Sequence, residues 1–577
     1  MRNDEVANRL VEFADRLEAT GVKYKPRSYR LAAETVRDHP EPIEDVAARE
    51  ELDGLDRVGD AIAAKIAEYI ETGEIAELAE LREDLAVGIG GLTTVEGVGP
   101  KTVGTLHDAL GISNLDELEA AAEAGEIREV SGFGSKTEEN IRENVSFARQ
   151  ASGRVRLGDA RPLAEATVAL AEGAGAARAQ PAGSLRRWSP TVGDVDVLAA
   201  TADPDQLIAA LIDWDRVETV IEAGETKASV RVDGTRVDLR VARPAEFGAA
   251  LQYFTGSWDH NVKLRNRAIE RGLKMNEYGV FDVSGLSKDD REEQRAGDRV
   301  AGETEARMYD ILDLPLIPPE MREDRGEIEA AAGGDMPDLV APEDLRGDLH
   351  THTDWSDGRE SVETMVQAAT DHGAAYHAVT DHATGPGMVG GVGLSDDELR
   401  DQIAAIETLN VPIPLLTGVE TNVDADGDLS TGDDVLAELD VVVASPHSGL
   451  GQDRETATER LVRAVEHPEV NVIGHPTGRL INDRLGIAPD VERVAVAAAD
   501  AGTALEVNAD PRRLDLDGDA VRVAVEAGAT IAVNTDAHGT AALTNDRYGV
   551  HTARRGWATA ADVVNTRSLD ELRTFLG

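Results

Sequence analysis

Hydrophobic residues recur at helical spacing through the first 150 residues, where short glycine-containing turns separate stretches of about 10 to 15 residues. From Val155 to about Arg240, helical stretches are interrupted by the β-type runs DVDVLAA, ASVRVDG and TRVDLRVA, and residues 241–320 are mixed. Glycine, proline and dense acids at 323–345 indicate an exposed linker. After it, seven apolar runs separated by helical stretches predict the βα alternation of a barrel or a doubly wound sheet.

These changes of pattern predict several domains, because single hydrophobic cores stop growing near about 250–300 residues and the chain has 577. We expect two helical parts, an α+β part, a mixed part, the linker and a C-terminal βα part. Their predicted bounds are 1–85, 86–150, 151–240, 241–322, 323–345 and 346–577.

The net charge of −52 changes what the chain is expected to bind. Acids are interleaved with regular apolar patterns, which is typical of a folded protein with an acidic surface adapted to a cytoplasm of molar salt. We expect little activity at low salt, where self-repulsion of this surface loosens the fold. With no 18-residue apolar run and no charged-then-apolar leader, the sequence predicts neither a membrane span nor a signal peptide.

High salt does not exclude DNA as a partner. Counterion release costs roughly 0.9 log units of affinity per phosphate contact for each tenfold rise in salt, so a basic surface is of little use there. Only 9 of the 58 basic residues are lysine. A DNA-binding protein of this composition has to rely on backbone amides, metals and shape.

Three segments of the helical part share one form: LDRVGDAIAAKI, LTTVEGVGPKTVGTL and IREVSGFGSKTEENI, at 55–66, 92–106 and 127–141. In each, a glycine turn joins two helices, and the amides at the start of the second helix are able to hold a phosphate oxygen. A single copy is more often an ordinary αα-hairpin, but three copies favour helix–hairpin–helix units that grip the DNA backbone. The predicted DNA-binding residues are Gly97, Gly99, Lys101, Gly132, Gly134 and Lys136.

A small basic island, KYKPRSYR, covers residues 23–30. It contains Lys25 and Tyr29 and has two equally acceptable interpretations. One is a solvated helix start, and the other is a pocket for a DNA 5′-phosphate.

The first cluster of potential catalytic residues consists of Gly183-Ser184, nine further residues, and then Asp194-Val195-Asp196. On a strand, residues i and i+2 face the same side about 6.5–7 Å apart, so the two acids are able to share metal ions. Asp238, on a later β-type run, offers a third carboxylate. A lone Asp-x-Asp is usually a solvated strand edge, whereas this combination favours two Mg²⁺ ions that activate a 3′-hydroxyl for displacement on a nucleotide.

A second cluster follows the linker, where potential ligands lie at the ends of six of the seven apolar runs. Because the chain has no cysteine, any metal must be bound by His, Asp or Glu. The sixth run, ALEVNA, offers no strong ligand. Active sites of βα barrels lie at the carboxyl ends of the strands, so these side chains are predicted to bind two or three ions such as Mn²⁺ or Zn²⁺. The nine candidates are His350, His352, Asp357, His382, Glu420, His447, His475, Asp536 and His538.

Nearly all of residues 1–331 resembles a family X DNA polymerase of the DNA polymerase beta group. The resemblance rests on the motifs above and on the segments YFTGSWDHN, LRNRAIERGLKMNEYGVF and IPPEMREDRGEIEAA. The resemblance implies that Asp194, Asp196 and Asp238 carry the metals. It also implies a nucleotide site at Gly183, Ser184, Arg187, Gly193, Tyr253, Phe254, Gly256, Asn261 and Arg265. Lys65 matches the family's Schiff-base lysine, which implies a 5′-deoxyribose-phosphate lyase, although Ala61 replaces a neighbouring lysine.

The nine-ligand pattern resembles the PHP (polymerase and histidinol phosphatase) domain, a distorted seven-stranded barrel, with every ligand position filled. In bacterial and archaeal family X polymerases this fusion implies 3′→5′ exonuclease and 3′-phosphoesterase chemistry, sometimes with cleavage at abasic sites. The expected architecture is therefore a helix–hairpin–helix N-terminal part, an α+β nucleotidyltransferase core and a C-terminal (β/α)7 PHP barrel.

The resulting hypothesis is a monomeric repair polymerase that fills short gaps in DNA with dNTPs and processes 3′ ends. Two alternatives stay open. The barrel could hydrolyse a small phosphate ester while the polymerase half only binds DNA, or it could bind metal for stability alone.

Overall fold

A computed structural model of the chain describes residues 154–577 except 287–292, 386–391 and 483–485. It also describes residues 3–145 except 24, 39–42, 50, 56, 86, 88, 94, 96, 97, 140, 143 and 144. The chain forms two compact units. The first contains Met1–Arg154 and Asp233–Thr235, and the second contains Val155–Val232 and Arg236–Gly577.

The first unit is helical. Its apolar side chains form two clusters, one around Phe13 and Ile66 and one around Val103 and Leu118, because each amphipathic helix has one face to bury. Its helices are α1 (Asn3–Ala19), α2 (Lys25–Asp38), α3 (Ile43–Ala48), α4 (Asp60–Thr72), α5 (Ala76–Asp84), α6 (Ile89–Leu92), α7 (Pro100–Leu110) and α8 (Leu115–Ala124). Residues 135–139 are also helical.

The second unit begins with a two-stranded and a five-stranded sheet, flanked by helices. The strands are β1 (Val155–Arg156), β2 (Arg178–Pro181), β3 (Thr191–Val192), β4 (Val195–Ala200), β5 (Val217–Ala223), β6 (Lys227–Val232) and β7 (Thr235–Ala242). β1 pairs with β3, and the five-stranded sheet has the order β2-β4-β7-β6-β5. β4 and β7 are parallel, whereas β2 pairs with β4 antiparallel. The helices are α9 (Leu157–Gly173), α10 (Gly183–Arg186) and α11 (Pro204–Ile212).

A mixed region follows, in which a three-stranded sheet packs with four helices around Met308 and Tyr309. Its elements are α12 (Phe247–Thr255), α13 (Trp258–Glu270), β8 (Leu273–Asn276), β9 (Gly279–Asp282), β10 (Asp298–Ala301), α14 (Glu305–Asp310) and α15 (Glu327–Gly333). The prediction of an exposed linker at 323–345 is wrong for its first half. Ile328 and Ala331 of α15 pack into this core, because the apolar residues among the acids recur at helical spacing.

The C-terminal region confirms the predicted barrel. Seven parallel strands pair in chain order, and a bridge between Thr351 and Ala537 joins the two ends of the sheet into a nearly closed barrel. The strands are β11 (Gly347–Asp348), β12 (Tyr376–Val379), β13 (Leu415–Asn422), β14 (Val441–Ser445), β15 (Val472–Ile473), β16 (Ala504–Asn508) and β17 (Ile531–Asn534). The helices are α16 (Val362–Asp371), α17 (Asp396–Glu407), α18 (Asp433–Leu436), α19 (Arg454–Val465), α20 (Val491–Ala501), α21 (Gly518–Glu526), α22 (Asp546–Arg555) and α23 (Leu569–Leu576). None of the helices within the described ranges is long and apolar enough to cross a bilayer.

Candidate active sites

Three carboxylates meet where β4 and β7 run side by side. The two strands are in register, which places Asp196 directly beside Asp238, while Asp194 lies just before β4. One oxygen from each of these residues lies within 4.8 Å of the other two. Carboxylates this close repel each other, and divalent cations with oxygen ligands relieve that repulsion.

The electrostatics of the three acids fit a cation site. Burial and the neighbouring charge of Asp194 raise the pKa of Asp196 to about 7. Burial also disfavours ionisation of Asp238, but hydrogen bonds from Arg236 and Ser229 outweigh it and lower its pKa. Nε and Nη2 of Arg236 donate to the two Asp238 oxygens at 2.7 and 3.1 Å. Asp238 is therefore stabilised as a carboxylate by protein groups, whereas ionisation of Asp196 would be favoured by a bound cation.

In the metal-free protein, Asp196 is expected to make stability fall as the pH rises. Its folded-state pKa of about 7 lies above the ordinary value of 3.8. Its contribution to the free energy of unfolding is therefore complete below the ordinary pKa and is lost as the pH rises through the folded-state pKa. Asp196→Asn should flatten this dependence in thermal unfolding measured with EDTA, and excess Mg²⁺ should flatten it in the parent protein. An unchanged slope in the variant would contradict the raised pKa.

The Gly-Ser motif lies against these acids at α10. Gly183 has a φ of 61°, and a Cβ at this position would come within 2.5 Å of Asp196 Oδ2, so only glycine allows the backbone to approach the carboxylate. Ser184 is inside α10 and Gly193 is the exposed residue before Asp194. Arg187 follows α10, donating from Nε to Glu323 Oε1 at 2.8 Å and from Nη1 to the carbonyl oxygen of Thr255 at 2.8 Å.

Four predicted nucleotide-site residues surround the turn between α12 and α13. The rings of Tyr253 and Phe254 meet edge to face at 5.1 Å. Asn261 Nδ2 donates to the carbonyl oxygens of Tyr253 and Gly256 at 2.7 and 3.3 Å. A Cβ on Gly256 would lie 2.5 Å from Asn261 Oδ1. Arg265 lies one turn further along α13 and lines a surface cavity together with Tyr253.

The barrel brings all nine predicted ligands to one mouth. Three groups have ligand atoms within 4.8 Å of one another. They are His352 with Asp357, His382 and His538; His350 with His352 and Asp536; and His382 with Glu420 and His447. The ninth residue, His475, joins the set through Nε2, which lies 3.0 Å from Glu420 Oε1.

Glu420 is the centre of this mouth. It is fully buried on β13, and its carboxylate lies between five imidazoles. Its oxygens are 2.5 Å from His382 Nδ1, 3.0 Å from His475 Nε2 and 3.3 Å from His447 Nε2. The Nε2 atoms of His350 and His352 lie 3.5 and 3.7 Å from the nearer Glu420 oxygen. A buried carboxylate among imidazoles is a ligand set that would hold divalent transition-metal ions.

Orphaned buried atoms support metal binding at the mouth. His350 Nε2, both ring nitrogens of His352 and Glu420 Oε2 are buried without a hydrogen-bond partner, whereas buried polar atoms are normally paired. Burial lowers the pKa of His352 to about 3 and that of His475 to about 4, so both are neutral, as a metal ligand must be. Burial opposes the charge of His382 too, but the nearby carboxylates Glu420 and Asp357 outweigh it and raise its pKa to about 10. Imidazoles and carboxylates in this mixture suit transition-metal ions.

The sixth strand contributes more than the sequence indicates. Glu506 on β16 accepts a hydrogen bond from the His475 amide at 2.7 Å and lies 2.8 Å from His350 Nδ1. Asn508 donates to Glu506 and to Asp536 at 3.2 and 3.0 Å. These two residues orient three of the ligands. The only sequence signal for this role is a charged residue inside the apolar run ALEVNA.

The mouth also contains a cation that sequence reasoning missed. Arg513 follows β16, and its Nε lies 3.6 Å from Asp536 Oδ2. Its side chain is 17% exposed, and Nη1 is buried without a hydrogen-bond partner. A guanidinium with an unsatisfied donor beside a metal-type ligand is suited to an anionic group such as a phosphate.

The predicted DNA-binding hairpins differ at their second helices. Gly99 precedes α7, which starts at Pro100 with exposed Lys101 and has no acid in its first turn. Gly132 has a φ of 97°, and Gly134 and Lys136 are exposed. By contrast, α4 of the first hairpin begins with Asp60, which disfavours an anion there. Gly97 lies outside the described residues.

Two of the residues predicted for the lyase site, Lys65 and Tyr29, contact the ring of Phe13. Lys65 Nζ lies 4.8 Å from the centre of the Phe13 ring and forms an ion pair with Glu77. Tyr29 packs edge to face on the same ring at 4.7 Å. Lys25 is the exposed first residue of α2.

Comparison with known proteins agrees with this architecture. The helix–hairpin–helix domain matches residues 1–75 and the SAM-like helix–hairpin–helix tandem matches 89–144. The DNA polymerase beta thumb matches 250–323 and the PHP domain matches 348–508. A probable phosphatase of Thermoanaerobacter sp. is 31% identical over 33% of this chain and 78% of its own length. A probable phosphatase of Shewanella sp. is 29% identical over 33% of this chain and 75% of its own.

The DNA polymerase/3′-5′ exonuclease PolX of Bacillus subtilis is 34% identical over 100% of this chain and 99% of its own length. The similarity therefore covers both ligand clusters and the helical region together. This chain belongs to the PolX family, the family X polymerases that carry a PHP domain.

Proposed function

We propose that the protein is a DNA-directed DNA polymerase that fills short repair gaps and also removes nucleotides or blocking phosphates from 3′ ends. One observation carries the proposal. A cluster of three carboxylates and a mouth with nine potential ligands occur in one chain. The PolX relative, whose name combines the two activities, supports it.

At the polymerase site, Asp194, Asp196 and Asp238 would hold Mg²⁺, which when bound neutralises the triphosphate and favours ionisation of the primer 3′-hydroxyl. Ser184, Arg187 and Gly193 bind the phosphates of the dNTP, and Asp238 helps to take the proton from the hydroxyl. Gly183 keeps the backbone against Asp196. These groups act mainly by positioning and by charge.

The turn between α12 and α13 is proposed to select the nucleotide. Tyr253, Phe254 and Gly256 line the sugar pocket, and Asn261 and Arg265 approach the minor groove of the nascent pair. The contacts of Asn261 with Tyr253 and Gly256 hold this turn in one shape, so the sugar meets a preformed surface.

At the barrel, the nine ligands would hold two or three Mn²⁺ or Zn²⁺ ions, which when bound supply a hydroxide nucleophile and stabilise charge on the phosphate. Glu420 lies between the histidines and keeps the ligand groups together. Glu506 fixes the orientation of His350 through Nδ1. Arg513 is placed to bind a non-bridging oxygen of the 3′-phosphate.

Arg513→Gln is expected to slow removal of a 3′-phosphate about 10- to 100-fold, since hydrogen bonds to charged groups contribute about 1.5–3 kcal/mol. Primer extension should not change. The matched control is Arg512→Gln, because Arg512 is 66% exposed and already pairs with Asp510. Equal rates for the two variants would exclude the phosphate role of Arg513.

The helical region is proposed to hold gapped DNA by its backbone, through Gly97, Gly99, Lys101, Gly132, Gly134 and Lys136. Lys65 is retained as the lyase nucleophile, with Lys25 and Tyr29 at the 5′-phosphate. Borohydride trapping of a 5′-deoxyribose-phosphate substrate tests this, and equal trapping by Lys65→Ala would reject it.

The proposed function as a whole is tested with gapped DNA labelled at the 3′ end, with and without dNTPs, in Mg²⁺, Mn²⁺ and Zn²⁺ at high KCl. Extension with dNTPs and label release without them are the expected results. A small-ester phosphatase is the second candidate, because two probable phosphatases are similar to a third of this chain. Hydrolysis of small phosphate esters with no action on 3′ ends of DNA would favour it.

A further inference from the structure

Helix α22 of the barrel region packs against the polymerase loop that follows α10. Trp188, the residue after Arg187, is 7% exposed. Its ring stacks on His551 at 3.7 Å with an interplanar angle of 8°, and Tyr548 meets it edge to face at 5.8 Å. Arg161 of α9 places its guanidinium 3.5 Å from the centre of the same ring. The loop is therefore enclosed by side chains from both parts of the unit.

Arg555, at the end of α22, donates hydrogen bonds to Arg187 and to its partner Glu323. Its Nη1 donates to the Arg187 carbonyl oxygen at 2.7 Å and to Glu323 Oε1 at 3.0 Å. The same Glu323 oxygen accepts from Arg187 Nε at 2.8 Å. One carboxylate thus joins the guanidinium of the polymerase loop to the guanidinium of the barrel helix.

The loop needs external support to keep its shape. Trp188 has a φ of 56°, a left-handed conformation that is unfavourable for a residue with a Cβ. Such residues persist where the surroundings over-determine them, commonly at functional sites. Here the surroundings are the His551 ring, the Tyr548 ring and the Arg555 hydrogen bond to the preceding carbonyl.

A separate set of contacts fixes α22 itself. Glu320, 4% exposed, lies 2.6 Å from His551 Nδ1 and accepts from Arg554 Nε at 2.8 Å. At the other end of α22, Arg547 Nη1 donates to Glu165 Oε1 at 3.1 Å. The helix is therefore held by ion pairs at both ends, to Glu320 of the mixed region at one end and to Glu165 of α9 at the other.

We propose that α22 of the barrel region is a structural part of the incoming-nucleotide site, with Arg555 as the positioning residue for Arg187. Arg555 does not touch the nucleotide. It sets the direction of the Arg187 guanidinium, together with the Thr255 carbonyl, so that this group meets the triphosphate. The inference rests on the proposed role of Arg187 in binding the dNTP phosphates.

The test is dNTP titration in single-nucleotide gap filling by the full-length protein. Arg187→Ala and Arg555→Gln should each raise the KM for dNTP about tenfold with a smaller change in kcat, as for loss of a binding interaction. The double variant should be no worse than Arg187→Ala alone, because coupled residues are not additive. Removal of a 3′-phosphate should stay close to the parent rate. The matched control, Arg463→Gln, lies on another barrel helix and is 56% exposed.

Each outcome decides between the claims. A normal KM in Arg555→Gln beside a raised KM in Arg187→Ala overturns the positioning role and leaves the proposed function intact. A normal KM in Arg187→Ala rejects the role of Arg187 itself. Additive effects in the double variant also overturn the proposal, since Arg555 would then act independently. If Arg555→Gln does not fold, His551→Ala is the second variant. It removes the stack on Trp188 and the contact with Glu320 but leaves Arg555 in place, and it should raise the KM in the same direction. An unchanged KM there overturns the proposal.

Discussion

Replacing Asp194 and Asp196 by asparagine is expected to abolish primer extension, with a fall in kcat of about 10³-fold or more, since removal of a single charge-stabilising group already costs about 10²–10³-fold. The reason is that both side chains share a ligand cluster with Asp238, and Asp196 lies against the Gly183 turn. Asparagine keeps their shape but removes the two charges that Mg²⁺ needs. Extension of a gapped primer at saturating dNTP measures the effect.

The control for this result is Asp203→Asn with Asp205→Asn, which removes the same charge from exposed positions at the start of α11. Removal of 3′-phosphates should persist in both double variants. Extension at the parent rate by the Asp194/Asp196 variant would refute the assignment of the polymerase site, whereas loss of both activities would point to unfolding.

Glu420→Gln is expected to abolish 3′-end processing while leaving extension at the parent rate. The substitution keeps the volume of a fully buried side chain but removes the charge that lies between five histidines. Metal content should fall together with activity, because a neutral amide binds a divalent metal ion more weakly than a carboxylate does. Removal of 3′-phosphates and metal analysis of the purified protein measure the two effects.

The matched control is Asp348→Asn. Asp348 is buried beside the same mouth, yet it accepts hydrogen bonds from Thr535 and from the His350 amide instead of facing the ligands, and burial raises its pKa to about 7. A neutral side chain is therefore tolerated there, and metal content should be retained. If Glu420→Gln kept both its metal and its processing activity, the ligand assignment would be wrong. If it lost metal but kept processing, another site would be responsible.

Much of both sites was predictable because short motifs and strand ends control it. Asp194 and Asp196 flank one residue at the start of a strand, so period-two geometry alone brings them together. The barrel ligands follow apolar runs, and parallel strands put their carboxyl ends at one edge. That reasoning is local, and it requires no knowledge of which strand lies beside which.

Other residues were out of reach of such reasoning. Glu506 sits within a strand and has no motif, and its role depends on His350, 156 residues away in the chain. The exposed-linker prediction was wrong for the first half of 323–345 because a high acid content does not by itself imply exposure: Glu327 is fully buried against His260. Burial of a charge depends on its partner, and the partner lies elsewhere in the sequence.

The domain types, the two clusters of potential ligands and the resemblance to family X polymerases with a PHP domain were predictable from sequence, because each depends on the spacing of residues that lie close together in the chain. Only the tertiary structure decided that Arg555, 368 residues from Arg187, shares Glu323 with it. Such a contact has no periodicity and no motif. It exists because two folded surfaces pack closely together, and close packing depends on the three-dimensional shapes of both surfaces.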